Sequence, residues 1–362
     1  MTKPDATGGY LRQLLGVDFT DDQLAIATHD LCPQLVVAGA GSGKTMVMAA
    51  RVVHAVAFQG VSPGRILGLT FTNKAAGELA ARVRSSLAKL PRTQATLPAA
   101  DDDVEVAADD LPTVSTYHSY AAGIVRDHAL RIGREPFTAL LTEATQWQLA
   151  MRVVRNATGP FQYLQWTSPW VAGLVIRLAG ELAEHLVDAD DVRKVDAAVV
   201  AAVAALPGRV LKDSLNAAEV AHVRDELLTL VDSYRAAKQR LDLLDYGDQV
   251  ALAAQIARTA PAVSRMERAR FSLVVLDEYQ DTGVPQRLML SALFGDGHPV
   301  TAVGDPNQAI YGWRGASVGN LLRFGSHFPR SDGETVTPQP LMTSFRCGGR
   351  ILDAANTVAS RI

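Results

Sequence analysis

Three clusters of residues in this chain have the types and spacing for phosphate chemistry. The first is Ala38-Gly39-Ala40-Gly41-Ser42-Gly43-Lys44-Thr45, directly after the apolar run Leu35-Val36-Val37. Its glycines let backbone N–H groups wrap a phosphate chain where a helix begins. Lys44 can reach the β- and γ-phosphates, and the Thr45 hydroxyl can take a place on Mg²⁺. A glycine-rich turn that binds nothing is the plain alternative, but strand, turn, Lys-Thr and helix in register argue against it. The second cluster is Asp277-Glu278, closing the hydrophobic run 271–276. There the Asp can hold Mg²⁺ through water while the Glu orients and deprotonates an attacking water. Asp-Glu pairs are common on surfaces, so this one gains weight only beside the first cluster.

The third cluster follows the strand-like run 299–303 and reads Gly304-Asp305-Pro306-Asn307-Gln308, then Ala309-Ile310-Tyr311-Gly312-Trp313-Arg314. A glutamine at a strand end can contact a γ-phosphate. Two aromatics on a loop with an adjacent arginine suit stacking against successive bases. An aromatic-rich core loop is the alternative, against which the density of Gly, Asp, Asn and Gln speaks.

The elements that must position these residues follow from the pattern. Thr20 is placed to cap a helix over 23–28, and Gln23 on it, one short helix before the phosphate loop, can read an adenine edge. A helix over 46–58 leads out of the loop. Residues 66–71 form a buried strand, and Thr72 or Asn73 caps a helix to about residue 90. In a doubly wound sheet, residues just past the carboxyl ends of strands face the ligand crevice. Phe71 to Asn73 therefore lie where a base can stack, with a core phenylalanine as the alternative. A short strand over 113–116 leads to His118, either a helix-start or core histidine or a phosphate donor.

Residues 91–110, rich in Asp, have little periodicity and read as a solvated acidic loop rather than a metal site. From about 123 to 240 the pattern is helical, with no strand-like alternation. The reading is an all-helical subdomain inserted into a parallel-sheet domain. Trp147, Trp166 and Trp170 fall in that block and are expected in a core or domain interface.

At 362 residues the chain is long enough for two or three domains. A net charge of −3 gives no general support for a polyanion partner, so a nucleic-acid track must be local. The two cysteines, Cys32 and Cys347, belong to no metal-ligand spacing and fit a reducing cytoplasm. The stretch 197–206 is about half the length that spans a bilayer, so a membrane protein is not expected.

Taken in order, these segments resemble the superfamily 1 DNA helicases of the UvrD/Rep/PcrA type. The matching blocks are FTDDQ, AGAGSGKT, LTFTNKAAGELAARV, TVSTYHSYA, VVLDEYQDT, VGDPNQAIYGWRGA and LMTSFRCGGRIL, spread over nearly the whole chain. Asp245-Tyr246-Gly247-Asp248-Gln249 is similar to the family's segment before its Asp-Glu strand. The resemblance implies a RecA-like P-loop NTPase sheet: residues 1–122 and 241–335 as the first motor domain, 123–240 as the inserted helical subdomain, and 336–362 as the start of a second, truncated motor domain.

It also implies ATP and Mg²⁺ as cofactors and a role for each matching residue. Gln23 corresponds to the adenine-reading glutamine and Phe345 to the aromatic that packs on adenine. Lys44, Thr45, Asp277 and Glu278 keep the roles already given. Gln308 and Arg346 match γ-phosphate sensors. Phe71, Asn73, His118, Tyr311 and Trp313 match a single-strand-binding track, and Arg314 matches the arginine that couples the two sites. The chain departs from the family at Ser344-Phe345-Arg346-Cys347, usually Asn-Tyr-Arg-Ser, and at Met46, where many relatives carry Arg. Nothing resembles the later motifs of the second motor domain.

The implied activity is ATP-dependent 3′-to-5′ translocation on single-stranded DNA in repair or recombination, in the cytoplasm. Single-stranded DNA, single-strand/duplex junctions and repair-complex proteins are the expected partners. The motor of a RecB/AdnB-type nuclease-helicase is one alternative, and a non-translocating regulatory ATPase that binds DNA is another. A small-molecule P-loop kinase leaves residues 304–316 without a purpose.

Overall fold

The computed structural model of the chain describes residues 4–90, 111–136, 138–312 and 315–360, with side chains from residue 7 onward. The acidic segment 91–110, Trp313 and Arg314 lie outside the described residues. The described residues fall into two compact units. One takes in 1–121, 257–282 and 286–362; the other takes in 122–256 with 283–285.

The first unit is built on a six-stranded sheet. Its strands are β1 (Gln34–Ala38), β2 (Ile66–Thr70), β3 (Thr113–Thr116), β6 (Leu273–Leu276), β7 (Val300–Gly304) and β8 (Gln339–Leu341). A separate two-residue ladder pairs β4 (Ala139–Leu140) with β5 (Leu243–Leu244). The sheet runs β3-β2-β6-β7-β1-β8, and its pairings are parallel. Parallel strands need crossover connections, which cover both faces with helices, so the central strands read as unbroken apolar runs. Accordingly β2, β6 and β7 are buried along their length. This is the mixed α/β, RecA-like arrangement expected from the sequence.

The register decides where the chemistry gathers. Val37 of β1 pairs with Gly304 of β7, and Leu276 of β6 pairs with Ala302 of β7. The loops that follow β6, β7 and β1 therefore emerge side by side at one sheet edge. Thr70 of β2 pairs with Thr116 of β3, and Leu69 with Leu276 of β6. That sets Phe71 and Tyr117 next to the start of the Asp277-Glu278 segment. Beneath this edge one apolar cluster joins the helix Lys44–Gln59 to the sheet through Val47, Met48, Val36 and Val275.

The second unit packs the helices Glu143–Asn156, Ser168–His185, Ala189–Ala204 and Lys212–Arg240 around Met151, Val175, Leu228, Val231 and Tyr234. Its two-residue ladder is too short to produce an alternating pattern, so the sequence shows none. Of the two places expected for the tryptophans, the core is ruled out: Trp147, Trp166 and Trp170 are 45, 49 and 59% exposed. Trp147 and Trp170 precede the first buried positions of their helices, Leu149 and Val171, and Trp166 lies in the bend before the second helix. Among the described residues no helix is long and apolar enough to cross a membrane.

Candidate functional site

The loop after β1 turns on two glycines in the left-handed region, Gly41 (φ 75°) and Gly43 (φ 83°), where an L side chain is strained. Space excludes a side chain at Gly41 and leaves little room at Gly43. A Cβ on Gly41 would lie 2.4 Å from Arg346 Cβ and 3.1 Å from its backbone N, and one on Gly43 would lie 3.0 Å from Gln23 Nε2. Gly43 is the N-cap of the helix Lys44–Gln59, whose first turn holds no acid. The positive end of that helix thus faces the loop uncompensated, as an anion site requires.

Gln23 is buried and tied to this loop. Its Oε1 accepts the Thr20 N–H (3.1 Å) in a capping box, and its Nε2 donates to the Ser42 carbonyl (3.0 Å). Across the loop, the Ser344 hydroxyl donates to the Ala40 carbonyl (3.0 Å) and the Phe345 N–H to that of Gly41 (2.8 Å). The structure therefore brings Gln23, residues 38–45 and residues 344–346 together. Phe345 is 61% exposed, so its ring has a free face, and Arg346 is exposed.

Behind the loop, Lys44 Nζ donates to both carboxylate oxygens of Glu278, at 3.1 and 3.0 Å. Glu278 itself has φ 49°, a left-handed conformation that costs a non-glycine residue about 1–3 kcal/mol. Asp277 is buried, and its Oδ1 accepts the Glu278 N–H (3.0 Å). Burial first, and the Glu278 charge second, push its carboxyl up to about 6.

These residues fit a magnesium ion. Asp277 is a buried carboxylate whose charge is costly without a cation beside it. Among the described residues no group of three or more His, Cys, Asp or Glu is placed to hold a metal by itself. Magnesium does not need one, since it keeps several waters and takes one or two carboxylates plus substrate phosphates. Asp277 and Thr45 are the residues that would hold it.

The loop after β7 joins the same network. Gln308 Nε2 donates to Asp305 Oδ2 at 2.5 Å, and the Asp305 N–H donates to Gln280 Oε1 at 3.0 Å. Gln280 Nε2 donates in turn to Glu278 Oε2 at 2.8 Å. Sequence reasoning assigned Gln280 no role. Its signals were its place in the VVLDEYQDT block and in a turn next to a buried strand, and it proves to be 1% exposed.

On the other flank of Asp277 lies an aromatic group. Phe71 and Tyr311 are parallel to within 4°, their centroids 6.1 Å apart, and Phe71 meets Tyr117 at 5.1 Å. The buried Tyr117 hydroxyl donates to the Asp277 carbonyl at 2.9 Å. Tyr117 is a second residue the sequence reading passed over. Phe71 is half-buried, Asn73 is exposed at the first turn of the helix Asn73–Leu87 capped by Thr72, and His118 is half-buried in the first turn of the helix Tyr117–His128.

Arg51 was also unforeseen. Fully buried in the helix Lys44–Gln59, it donates to the carbonyls of His29 and Asp30 and so fixes the segment between Gln23 and β1.

Comparison with known proteins agrees with this geometry. Residues 19–329 match the model of the UvrD/REP helicase N-terminal domain. The chain is 30% identical over 326 residues to the ATP-dependent DNA helicase PcrA of Leuconostoc citreum, covering 90% of this chain and 37% of that protein. To the ATP-dependent DNA helicase UvrD1 of Mycobacterium tuberculosis it is 30% identical over 347 residues, covering 94% and 39%. To PcrA of Staphylococcus aureus it is 27% identical over 339 residues, again covering 94% and 39%. The chain thus spans less than two fifths of the length of these relatives. With the family model covering the phosphate loop, the Asp-Glu strand and the loop after β7 alike, the chain belongs to the UvrD/Rep family of helicases.

Proposed function

We propose that this chain carries the first motor domain of an ATP-driven 3′-to-5′ single-stranded DNA translocase acting in repair or recombination. One observation carries the reading. Asp277-Glu278 touches the phosphate-loop lysine on one side and, through the Tyr117 hydroxyl, the Phe71–Tyr311 aromatic group on the other. A nucleotide site and a base-stacking ledge then share one two-residue segment.

In this reading residues 38–45 bind the ATP phosphates, while Gln23 and Phe345 hold the adenine. The γ-phosphate competes with Glu278 for Lys44, and that exchange leaves the carboxylate able to orient and deprotonate a water. Magnesium, when bound, neutralises charge that develops on the phosphate oxygens. Gln308 and Arg346 sense the γ-phosphate. Phe71, Asn73, His118, Tyr311 and Trp313 hold bases, and Arg314 couples the two sites. The sheet unit is the motor domain, the helical unit its inserted subdomain, and residues 336–362 begin the second motor domain. Single-stranded DNA and its junctions with duplex, in the cytoplasm, are the substrates.

The test is ATP hydrolysis with and without single-stranded DNA. Turnover stimulated by DNA and lost in Lys44→Ala is expected. Glu278→Gln should bind ATP normally and hydrolyse it about 100-fold or more slowly, in line with loss of a general base. Retention of most of the rate in Glu278→Gln would remove the base assignment, and stimulation by a metabolite instead of DNA would remove the translocase reading.

A further inference from the structure

The short turn Tyr279–Asp281 that follows Glu278 does more than leave the strand. Its Gln280 side chain holds the start of the loop that carries Tyr311. Gln280 Oε1 accepts the N–H of Asp305 at the loop's start.

The Gln280 amide is the part that also reaches the proposed base. It needs a donor and an acceptor on one planar group, since Nε2 donates to Glu278 at 2.8 Å while Oε1 accepts from Asp305 at 3.0 Å. Glutamate would present a second carboxylate to Glu278, and lysine could not accept the Asp305 N–H. Room for the amide is made by Gly304, where a Cβ would lie 2.6 Å from Gln280 Oε1. Asp305 extends the tie, because its carboxylate accepts from Gln308 Nε2 and from the Asn307 N–H.

We propose that Gln280 is a positioning residue: one edge of its amide aims the Glu278 carboxylate and the other pins the start of the aromatic-bearing loop, so that the loop's position sets the aim of the base. The proposal rests on the reading of Glu278 as general base and Tyr311 as a DNA contact, and it deepens that reading. DNA seated on Tyr311 moves or steadies a loop whose first residue is bonded to the side chain that holds the base. Stimulation by DNA then passes through a single buried amide.

The test uses Gln280→Met, close in volume but without the amide, and Gln280→Glu, which keeps the acceptor and loses the donor. Hydrogen exchange over residues 304–311 reads the tie without reference to activity. Gln280→Met should expose the Asp305 N–H and speed exchange there by about tenfold, the worth of one ordinary hydrogen bond, whereas Gln280→Glu should keep it protected. In DNA-stimulated hydrolysis both variants should lose about tenfold or more in kcat with KM for ATP nearly unchanged, the split expected when only the transition state is affected. Unchanged exchange in Gln280→Met overturns the tie, and a wild-type kcat in either variant overturns the aiming. Should Gln280→Met fail to fold, Gly304→Ala, which drives a methyl against the same amide oxygen, is read for the same two effects. Loss of DNA stimulation in the wild type would sink the proposed function alone, because the exchange arm still decides whether Gln280 holds the loop.

Discussion

At the scale of single residues, the phosphate loop shows how little tolerance the site has. Gly41 combines a left-handed backbone with a neighbour, Arg346, that already occupies the space of a side chain. Gly41→Ala should therefore push residues 344–346 off the loop and weaken nucleotide binding by about tenfold or more, a cost of roughly 1–3 kcal/mol for strain of this kind. Equilibrium titration with a fluorescent nucleotide would read it, and wild-type affinity would show that the loop has slack enough for a methyl group. Lys44, Asp277 and Glu278 were legible in the sequence because their spacing from a hydrophobic run is itself the signal. Gln280 and Tyr117 were not. What singles them out is a partner 25 residues away in one case and 160 in the other, and no local pattern records such a partner.

At the scale of elements, capping and apolar periodicity located most helices and strands, since both are local properties of the chain. Thr20 and Thr72 cap the helices expected of them. The tryptophans fall outside the core because bulk alone says nothing about which part of a segment reaches it. The segment Asp245-Tyr246-Gly247-Asp248 shows the same limit. Its two aspartates accept each other's backbone N–H and both hold Lys238 Nζ, at 2.7 and 2.6 Å, an arrangement built at the end of the long helix Lys212–Arg240. The chemistry here is structural, because Lys238 is 5% exposed and the two carboxylates satisfy it. Lys238→Met should leave two mostly buried carboxylates without their cation and destabilise the helical unit by about 3–5 kcal/mol, the usual cost of breaking a buried ion pair. Chemical denaturation would show it as a lower midpoint for the helical signal. An unchanged midpoint would mean that water reaches the carboxylates and replaces the ammonium.

For the whole molecule, the sheet order could not be read from the chain. Parallel strands interact across long crossovers, and the neighbours of β1, namely β7 and β8, lie some three hundred residues on. The resemblance to a family implied a RecA-like sheet without its strand order, and periodicity supplied only the strands. What no reading of the sequence offered is the sheet unit's sensitivity to acid. Three of its histidines, His54, His298 and His327, are each lowered to about 4, first by burial and then by nearby arginines. In the unfolded chain each takes up its proton near 6.5. Between those values the unfolded state binds more protons than the folded one, so stability is full above about 6.5 and falls as pH drops toward 4. His54 is a usable probe, because its ring stacks on Phe58 at 5.3 Å, its Nδ1 has no hydrogen-bond partner among the described residues, and Gln59 is its one side-chain hydrogen-bonding neighbour. Phenylalanine can take that place without losing the stack. His54→Phe should therefore melt close to wild type at pH 7.5 and above it at pH 5, with a shallower slope between. Parallel melting curves across that window would mean that His54 takes up its proton in the folded state as readily as in the unfolded chain.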